Sequence, residues 1–476
     1  MRAVRVRFAP SPTGYLHIGG LRTALYDYLY ARSQGGKFIL RIEDTDQSRE
    51  VSGAVDNLMK SLHKLGVEFD EGPGIGGPYE PYVQSQRLQL YQEQAVRLLA
   101  AGHAYHCFCS PETLAEMREQ QQANNEFVKY DRRCLQLSPQ EVDARLKNGE
   151  KHVIRLRMPD NRRFSFNDII RGQVEMDASQ SDDQVLIKSD GFPTYHLAAV
   201  VDDHYMEISH VIRGEEWLSS TPKHLWLYEC LGWEAPTWVH LPLILNTDRS
   251  KLSKRMNDVS VDSYLQKGYL IEALLNFVAL LGWHSSDDRE LYTLEELCQS
   301  FSLERVNKAG AIFDLTKLDW MNGHYLRNLP LELIAQRCMP YFQAAGLDIS
   351  DPEKYHRAID AARDRCTLLP DLVDYCRMFY ESKELGEEDK QLLAEPDSQK
   401  VLTWFADELA KHADFSGEEL NALAKRGVGE LGVKAKAFYT PIRIALIGQP
   451  HGPDFPTTIA IIGIQDSIQR LKAKII

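Results

Sequence analysis

The sequence predicts an α/β domain built on a parallel sheet, interrupted by an insertion and followed by an all-helical C-terminal region. Three observations carry this. Residues 4–42 read as strand, helix, strand. Between 103 and 183 the texture changes to a cysteine cluster, a polar run and short charged strand-like pieces. From about residue 260 the apolar spacing turns helical and stays so. A chain of 476 residues has room for about three domains.

Val4-Arg5-Val6-Arg7-Phe8 alternates at period two, as a strand does. Pro10, Pro12 and Gly14 break it into a loop. Gly19-Gly20 then opens a segment that sets Leu21, Leu25, Tyr28 and Leu29 on one helical face. Phe38-Ile39-Leu40-Arg41-Ile42 is a second strand, and a right-handed crossover makes the two parallel. The GPGIGGP string at 72–78 is a surface loop, and 84–102 read as a helix ended by Gly102. Strand signals return at 185–188, 208–212 and 240–245. Residues 271–281, 331–343 and 400–411 are spaced as helices, and the acidic tract 381–397 as a solvated surface.

Composition narrows the class. With 43% hydrophobic and 26% charged residues the chain is globular, neither disordered nor collagen-like. No apolar run approaches the roughly 18 to 20 residues of a membrane span. The opening MRAVRVRF lacks the continuous apolar core of a signal peptide, so the expected location is the cytoplasm. Against 68 acidic residues stand 55 basic ones, a net charge of −13, which leaves room for a local basic surface but not a general one. The eight cysteines are sparse, and in a cytosolic chain they are free, buried or metal-bound rather than paired.

Two segments carry chemistry. The first, Pro10-Ser11-Pro12-Thr13-Gly14-Tyr15-Leu16-His17-Ile18-Gly19-Gly20, joins a strand to a helix, where open α/β sheets bind ligands. Its glycines admit a phosphate to the backbone, the helix N-terminus offers N–H groups and a positive dipole end, and His17 can donate to a phosphoryl oxygen. The second, Lys251-Leu252-Ser253-Lys254-Arg255, follows the 240–245 strand, and its cations suit a loop closing over a polyphosphate. Each alone also fits an ordinary turn or a solvated surface.

Together, His-Ile-Gly-Gly and Lys-Leu-Ser-Lys-Arg resemble the two signature motifs of class I aminoacyl-tRNA synthetases. Phe8-Ala9-Pro10-Ser11-Pro12-Thr13-Gly14, Arg41-Ile42-Glu43-Asp44-Thr45-Asp46, Pro193-Thr194-Tyr195-His196-Leu197 and Val211-Ile212-Arg213-Gly214-Glu215-Glu216-Trp217 resemble the glutamyl-tRNA synthetase family. Ala435-Lys436-Ala437, Pro441-Ile442-Arg443 and His451-Gly452-Pro453 resemble the C-terminal helical domain of its bacterial form. The resemblance implies a Rossmann-type class I catalytic domain in two halves, 1–102 and 184–255, an inserted acceptor-stem-binding domain at 103–183, a helical stem-contact domain at 256–328 and an all-α anticodon-binding domain at 329–476. It implies a cytoplasmic monomer that uses ATP with Mg²⁺ to join L-glutamate to tRNA(Glu), or also or only to tRNA(Gln).

The site residues follow by resemblance. Pro10, Thr13, Gly14, His17, Gly19, Gly20, Lys251, Ser253, Lys254 and Arg255 would hold ATP. His17 would stabilise charge on the α-phosphate, and Lys254 with Lys251 would neutralise the departing pyrophosphate. Arg7, Tyr195 and Arg213 would read the substrate's side-chain carboxylate, and Ser11 and Glu43 its α-amino end. A guanidinium grips a carboxylate bidentately and finds no such partner in an amide. Many members carry Asn where this chain has Ala199, so that contact does not transfer.

Cys107, Cys109 and Cys134 match a zinc-ligand spacing of some bacterial members, but the family's fourth ligand, a histidine, is here Gln136. Tyr130 stands where a short relative, the glutamyl-queuosine tRNA(Asp) synthetase, uses a tyrosine; His103 and His106 are other candidates, and a metal-free remnant is the alternative. Lys425, Arg426, Lys434, Lys436 and Arg443 face only Glu430 in their stretch, with Phe438 and Tyr439 interleaved. Cations for phosphates and aromatics for splayed bases suit an anticodon loop, as does Arg365 by resemblance; surface helix residues would look the same. Among rivals, nucleotidylyltransferases are shorter and lack the helical half, and glutaminyl-tRNA synthetase ends in β-barrels. A catalytically dead tRNA-binding protein would not need His17, Lys254, Arg7 and Arg213 together.

Overall fold

The computed structural model describes residues 3–252, 260–411 and 415–476. Its strands are β1 (Arg5–Phe8), β2 (Lys37–Leu40), β3 (Ala104–Cys107), β4 (Val153–Leu156), β5 (Arg163–Asp168) and β6 (Gly172–Asp177). They continue with β7 (Val185–Ile187), β8 (His210–Gly214), β9 (Thr237–Leu241), β10 (Ile244–Leu245) and β11 (Ala311–Ile312). Two units divide the chain: Met1–Tyr264 with Leu275–Asp314, and Leu265–Leu274 with Leu315–Ile476.

In the first unit β1 and β2 pair in parallel, Arg5 opposite Lys37 and Phe8 opposite Leu40, with the helix Ile18–Ser33 as crossover. The strand–helix–strand unit is therefore where the sequence put it. The alternation of β1 does not mark a solvent face, however. All four of its side chains are buried, and the two arginines stay inside because each has a carboxylate: Arg5 on Glu71 at 2.8 Å, Arg7 on Asp203 at 2.9 Å.

Strand β8 lies along β1: Ser209 N–H donates to Arg5 O at 2.9 Å, and Arg7 Nη1 to Ile212 O at 3.4 Å. Next comes β9, parallel to β8, and then the β5–β6 hairpin, joined where Asp168 faces Trp238. The strand signal at 240–245 proves to be two strands. Pro242 has no N–H to continue a ladder, so β9 stops at Leu241 and β10 turns away to pair with β11. The 208–212 signal is shifted, since Ser209 spends its hydroxyl on the backbone of Arg5 and the ladder starts at His210.

The insertion holds a three-stranded antiparallel sheet, β3-β4-β7. By pairing, β7 belongs to the insertion although it lies beyond 183, and β5–β6 to the parallel sheet although they lie before it. The 256–328 segment divides between the two units. The second unit is helical throughout, from Leu315–Asn328 to Ile464–Lys472, with Phe342, Phe379, Phe405 and Phe438 fully buried in its core. No helix among the described residues is long and apolar enough to cross a membrane.

Beneath the sheet's carboxyl edge lies an ionic network. Arg41, fully buried, donates to Asp203 at 2.7 Å and to Glu43 at 2.9 Å, while Arg87 holds Asp202 at 2.8 Å. Burial would raise the Asp203 pKa, but the Arg7 and Arg41 guanidinia outweigh it and hold it below the ordinary carboxylate value. Asp203→Ala strands two buried guanidinia and should lower the urea-unfolding free energy by about 3–5 kcal/mol. Because the folded pKa is the lower one, this contribution is complete above about pH 4 and lost only as pH falls through the depressed value. A change within about 1 kcal/mol would show that the network does not hold the sheet together.

Candidate active site

A cleft of about 900 Å³ opens at the carboxyl ends of β1, β2, β8 and β9. It is the place an open α/β sheet reserves for ligands. Arg7, Ser11, Thr13, His17, Gly19, Gly20, Glu43, Tyr195, Arg213 and Lys251 all line it. Residues widely separated in sequence are thus brought together in one cleft. Pro10 and Gly14 do not line the cleft; Pro10 acts through its carbonyl, which accepts the Glu43 N–H at 3.0 Å and ties the loop to the chain after β2. Ser253, Lys254 and Arg255 lie outside the described residues.

One end of the cleft holds a helix N-terminus, whose free N–H groups and positive dipole end suit an anion. His17 is the N-cap of the helix Ile18–Ser33, and its Nδ1 accepts the Gly20 N–H at 3.1 Å. That bond fixes the tautomer: Nδ1 carries the lone pair and Nε2 the proton, so the imidazole can donate from Nε2. A Cβ on Gly19 would sit 3.2 Å from the imidazole ring, so a larger residue there would press on the cap. Lys251 reaches the same cleft from a tight loop in which Asp248 accepts the Ser250 N–H at 2.8 Å.

The other end is built around two arginines in unlike settings. Arg7, 4% exposed, has its charge matched by Asp203 through Nε at 2.9 Å and Nη2 at 3.4 Å. Arg213, 5% exposed, donates to the Tyr195 hydroxyl at 3.2 Å and lies over the Trp238 ring at 4.9 Å. Glu43, bonded to Arg41 at 2.9 Å, lines the same cleft; burial raises its pKa against the pull of Arg41 and Arg7. Ala199 is buried and gives the cleft no polar group.

Sequence reasoning missed several groups. Arg22 and Lys188 line the cleft. Arg22 follows Gly20 on the helix, buried, and donates to the carbonyls of Leu281 and Pro242, but helical spacing alone did not distinguish it from a core position. His224, His240 and Asp168 stand behind Arg213, on elements with no sequence feature in common.

In the insertion the sulfurs of Cys107, Cys109 and Cys134 all lie within 4.8 Å of one another. The Tyr130 hydroxyl is 3.3 Å from the sulfurs of both Cys107 and Cys109. His103 and His106 are not part of this set: His103 packs on Trp226 and His106 on His152, at ring separations of 5.7 and 4.9 Å. His106 alternates with Cys107 along β3 and so faces the other way. The hydrogen bond with Cys134, and then those with Tyr130 and Arg155, hold Cys107 well below the ordinary thiol value.

In the helical unit Arg365, Lys434 and Lys436 are exposed and Arg443 is half-buried, so the first three are available to a polyanion. Lys434 is the N-cap of the helix Ala435–Ile447. Phe438 is not a platform for bases: it is fully buried against Trp404 and Phe405, each at 6.1 Å. Its position is an inward one on that helix, and composition alone could not separate a core aromatic from a stacking one.

Residues 3–320 match the family model described as tRNA synthetases class I (E and Q), catalytic domain, and residues 333–475 the model described as anticodon binding domain. The chain is 48% identical to the glutamate--tRNA ligase of Alkaliphilus metalliredigens over 99% of each chain, and 44% identical to that of Clostridioides difficile over 98% of each. A crystal structure of a glutamate tRNA ligase from Elizabethkingia meningosepticum, in complex with its amino acid, superposes with a TM-score of 0.93 at 38% identity, covering 99% of both chains. With that likeness running from the histidine-capped helix to the C-terminal helices, the chain belongs to the class I tRNA synthetases of the glutamate and glutamine branch, in the glutamate--tRNA ligase family.

Proposed function

We propose that the protein activates L-glutamate with ATP to glutamyl-adenylate and transfers the glutamyl group to the terminal adenosine of tRNA(Glu). The observation that carries this reading is one cleft with a histidine-capped helix N-terminus at one end and, at the other, a buried arginine that has no carboxylate partner among the described residues. The first suits the phosphates of ATP; the second suits the side-chain carboxylate of glutamate.

In this reading the α-carboxylate attacks the α-phosphate in line, and pyrophosphate leaves. No enzyme nucleophile is needed, only position and charge stabilisation. His17 Nε2–H donates to the α-phosphate oxygens as their charge grows. Gly19 and Gly20 let the backbone approach, and Thr13 and the chain at Pro10 and Gly14 shape the loop. Lys254 and Lys251 neutralise the departing pyrophosphate, and Ser253 and Arg255 help to hold ATP. Arg213 and Tyr195 read the side-chain carboxylate, with Arg7 beside them, while Ser11 and Glu43 hold the α-amino end. Mg²⁺ travels with ATP, since the described residues of the cleft form no cluster of carboxylates to hold it.

The insertion serves the acceptor end of the tRNA, residues 256–328 its stem, and the helical unit the anticodon, through Arg365, Lys434, Lys436 and Arg443. A cytoplasmic, monomeric state belongs to the same reading. Three thiol sulfurs and a phenol oxygen converging in a half-buried pocket are a donor set that fits zinc. Cys107, Cys109, Cys134 and Tyr130 would hold the ion, which supplies local folding rather than chemistry.

Lys254→Ala should slow glutamyl-adenylate formation by at least about a hundredfold without unfolding the protein, because its charge acts as the pyrophosphate leaves. ATP–pyrophosphate exchange with tRNA present reads this directly, and a near wild-type rate would remove Lys254 from the mechanism. Protein purified without chelator should contain one zinc per chain by elemental analysis. Its removal should weaken tRNA binding more than ATP binding; a ratio near zero would make the three cysteines a metal-free remnant.

A further inference from the structure

Arg213 has five N–H bonds, and each has an acceptor. Nε donates to His240 Nε2 at 3.0 Å, and Nη1 to His224 Nδ1 at 3.1 Å and to the Tyr195 hydroxyl at 3.2 Å. Nη2 donates to the Thr221 hydroxyl at 2.9 Å and to Trp217 O at 3.3 Å. The two longest bonds go to Tyr195 and Trp217, which line the cleft. The three shorter ones go to groups behind it, and none of the five acceptors is charged.

A guanidinium can only donate, so it dictates the state of both imidazoles. His240 must present a lone pair at Nε2 and carry its proton on Nδ1, which faces Asp168 Oδ2 at 2.7 Å. Asp168 is fully buried, and its other oxygen accepts the Ile170 and Arg171 N–H groups at 3.0 and 2.8 Å. His224 must present its lone pair at Nδ1 and carry its proton on Nε2, which faces His196 Nδ1 at 3.1 Å. Burial, and then the cations Arg213, Lys223 and Arg7, keep His224 neutral. Burial likewise lowers His240, against the pull of Asp168.

The contrast with Arg7 gives this arrangement its meaning. Asp203 already matches the charge of Arg7, whereas only neutral acceptors and the Trp238 ring surround that of Arg213 among the described residues. We propose that His240 and His224 are positioning and specificity-determining residues for the amino acid: neutral acceptors that hold the Arg213 guanidinium from behind and leave its charge for the substrate's side-chain carboxylate. Glutamate then takes the two N–H bonds now turned to Tyr195 and Trp217. The amide of glutamine offers no charge to match. This rests on Arg213 being the residue that reads the side chain.

The test uses pairs of variants of one shape, in ATP–pyrophosphate exchange by the full chain with tRNA present. His224→Asn retains a neutral acceptor near Nδ1, and His224→Asp puts an anionic one there. The Asn variant should hold the KM for glutamate within about threefold of wild type. The Asp variant should raise it about tenfold or more, with the KM for ATP unchanged, and should lower the preference for glutamate over glutamine to match. His240→Gln should likewise retain binding that His240→Leu loses. Arg213→Ala separates the two levels of the argument. If it leaves the KM for glutamate unchanged, the reader assignment fails and this inference with it. If it raises that KM while the Asp and Asn variants at 224 behave alike, the reader stands and the proposed role of the imidazoles is overturned.

Discussion

The end of the cleft that holds Arg7 and Arg213 depends on which buried cation has a carboxylate behind it. Asp203 takes two guanidinia at once, Arg7 at 2.9 Å and Arg41 at 2.7 Å, and so joins β1, the end of β2 and the helix Tyr195–Tyr205. With those charges matched, two strands and a helix can bring polar side chains to one edge without the cost of isolated buried ions. Arg213 is the exception among them. Among the described residues its five acceptors are all neutral, and in the proposed reading the anion that matches its charge is the substrate's side-chain carboxylate.

The phosphate end depends on the same sheet in a different way. The loop from β1 to the helix Ile18–Ser33 is held by Pro10 O on the Glu43 N–H and Pro12 O on the Val51 N–H, at 3.0 and 2.9 Å. Those bonds aim the helix N-terminus into the cleft, and His17 caps it from within. The two ends therefore share one backbone: Glu43 contributes its N–H to the phosphate loop and its carboxylate to the network around Arg41. A substrate whose carboxylate must meet the α-phosphate needs this rigid spacing between the parts that hold each.

Much of this was legible from residues alone, for physical reasons. The glycines and histidine of the first loop and the lysine loop after β10 are local patterns that gain meaning only as a pair, and the arginines of β1 and β8 were singled out through the family resemblance. What hid was either nonlocal or ambiguous by type. Arg7 reads as a surface alternation until Asp203 is placed beside it. Phe438 reads as a stacking residue until its helix is packed and the ring turns inward. His224 and His240 read as unremarkable, because the meaning of an imidazole lies in what it accepts from, and both, one on a helix and one on β9, accept from an arginine on β8. The break at Pro242 could have been foreseen from its missing N–H. The crossing of β5–β6 and β7 between the two sheets could not, since strand partners are not written in any one strand.

The account turns on an arginine whose charge is kept for a side-chain carboxylate, and aminoacylation of purified tRNA(Glu) tests it most directly. Given ATP, Mg²⁺ and labelled glutamate or glutamine in parallel, the protein should form acid-precipitable glutamyl-tRNA, with glutamine charged at least about a thousandfold less efficiently. Equal charging of the two amino acids, or none with glutamate, would contradict it.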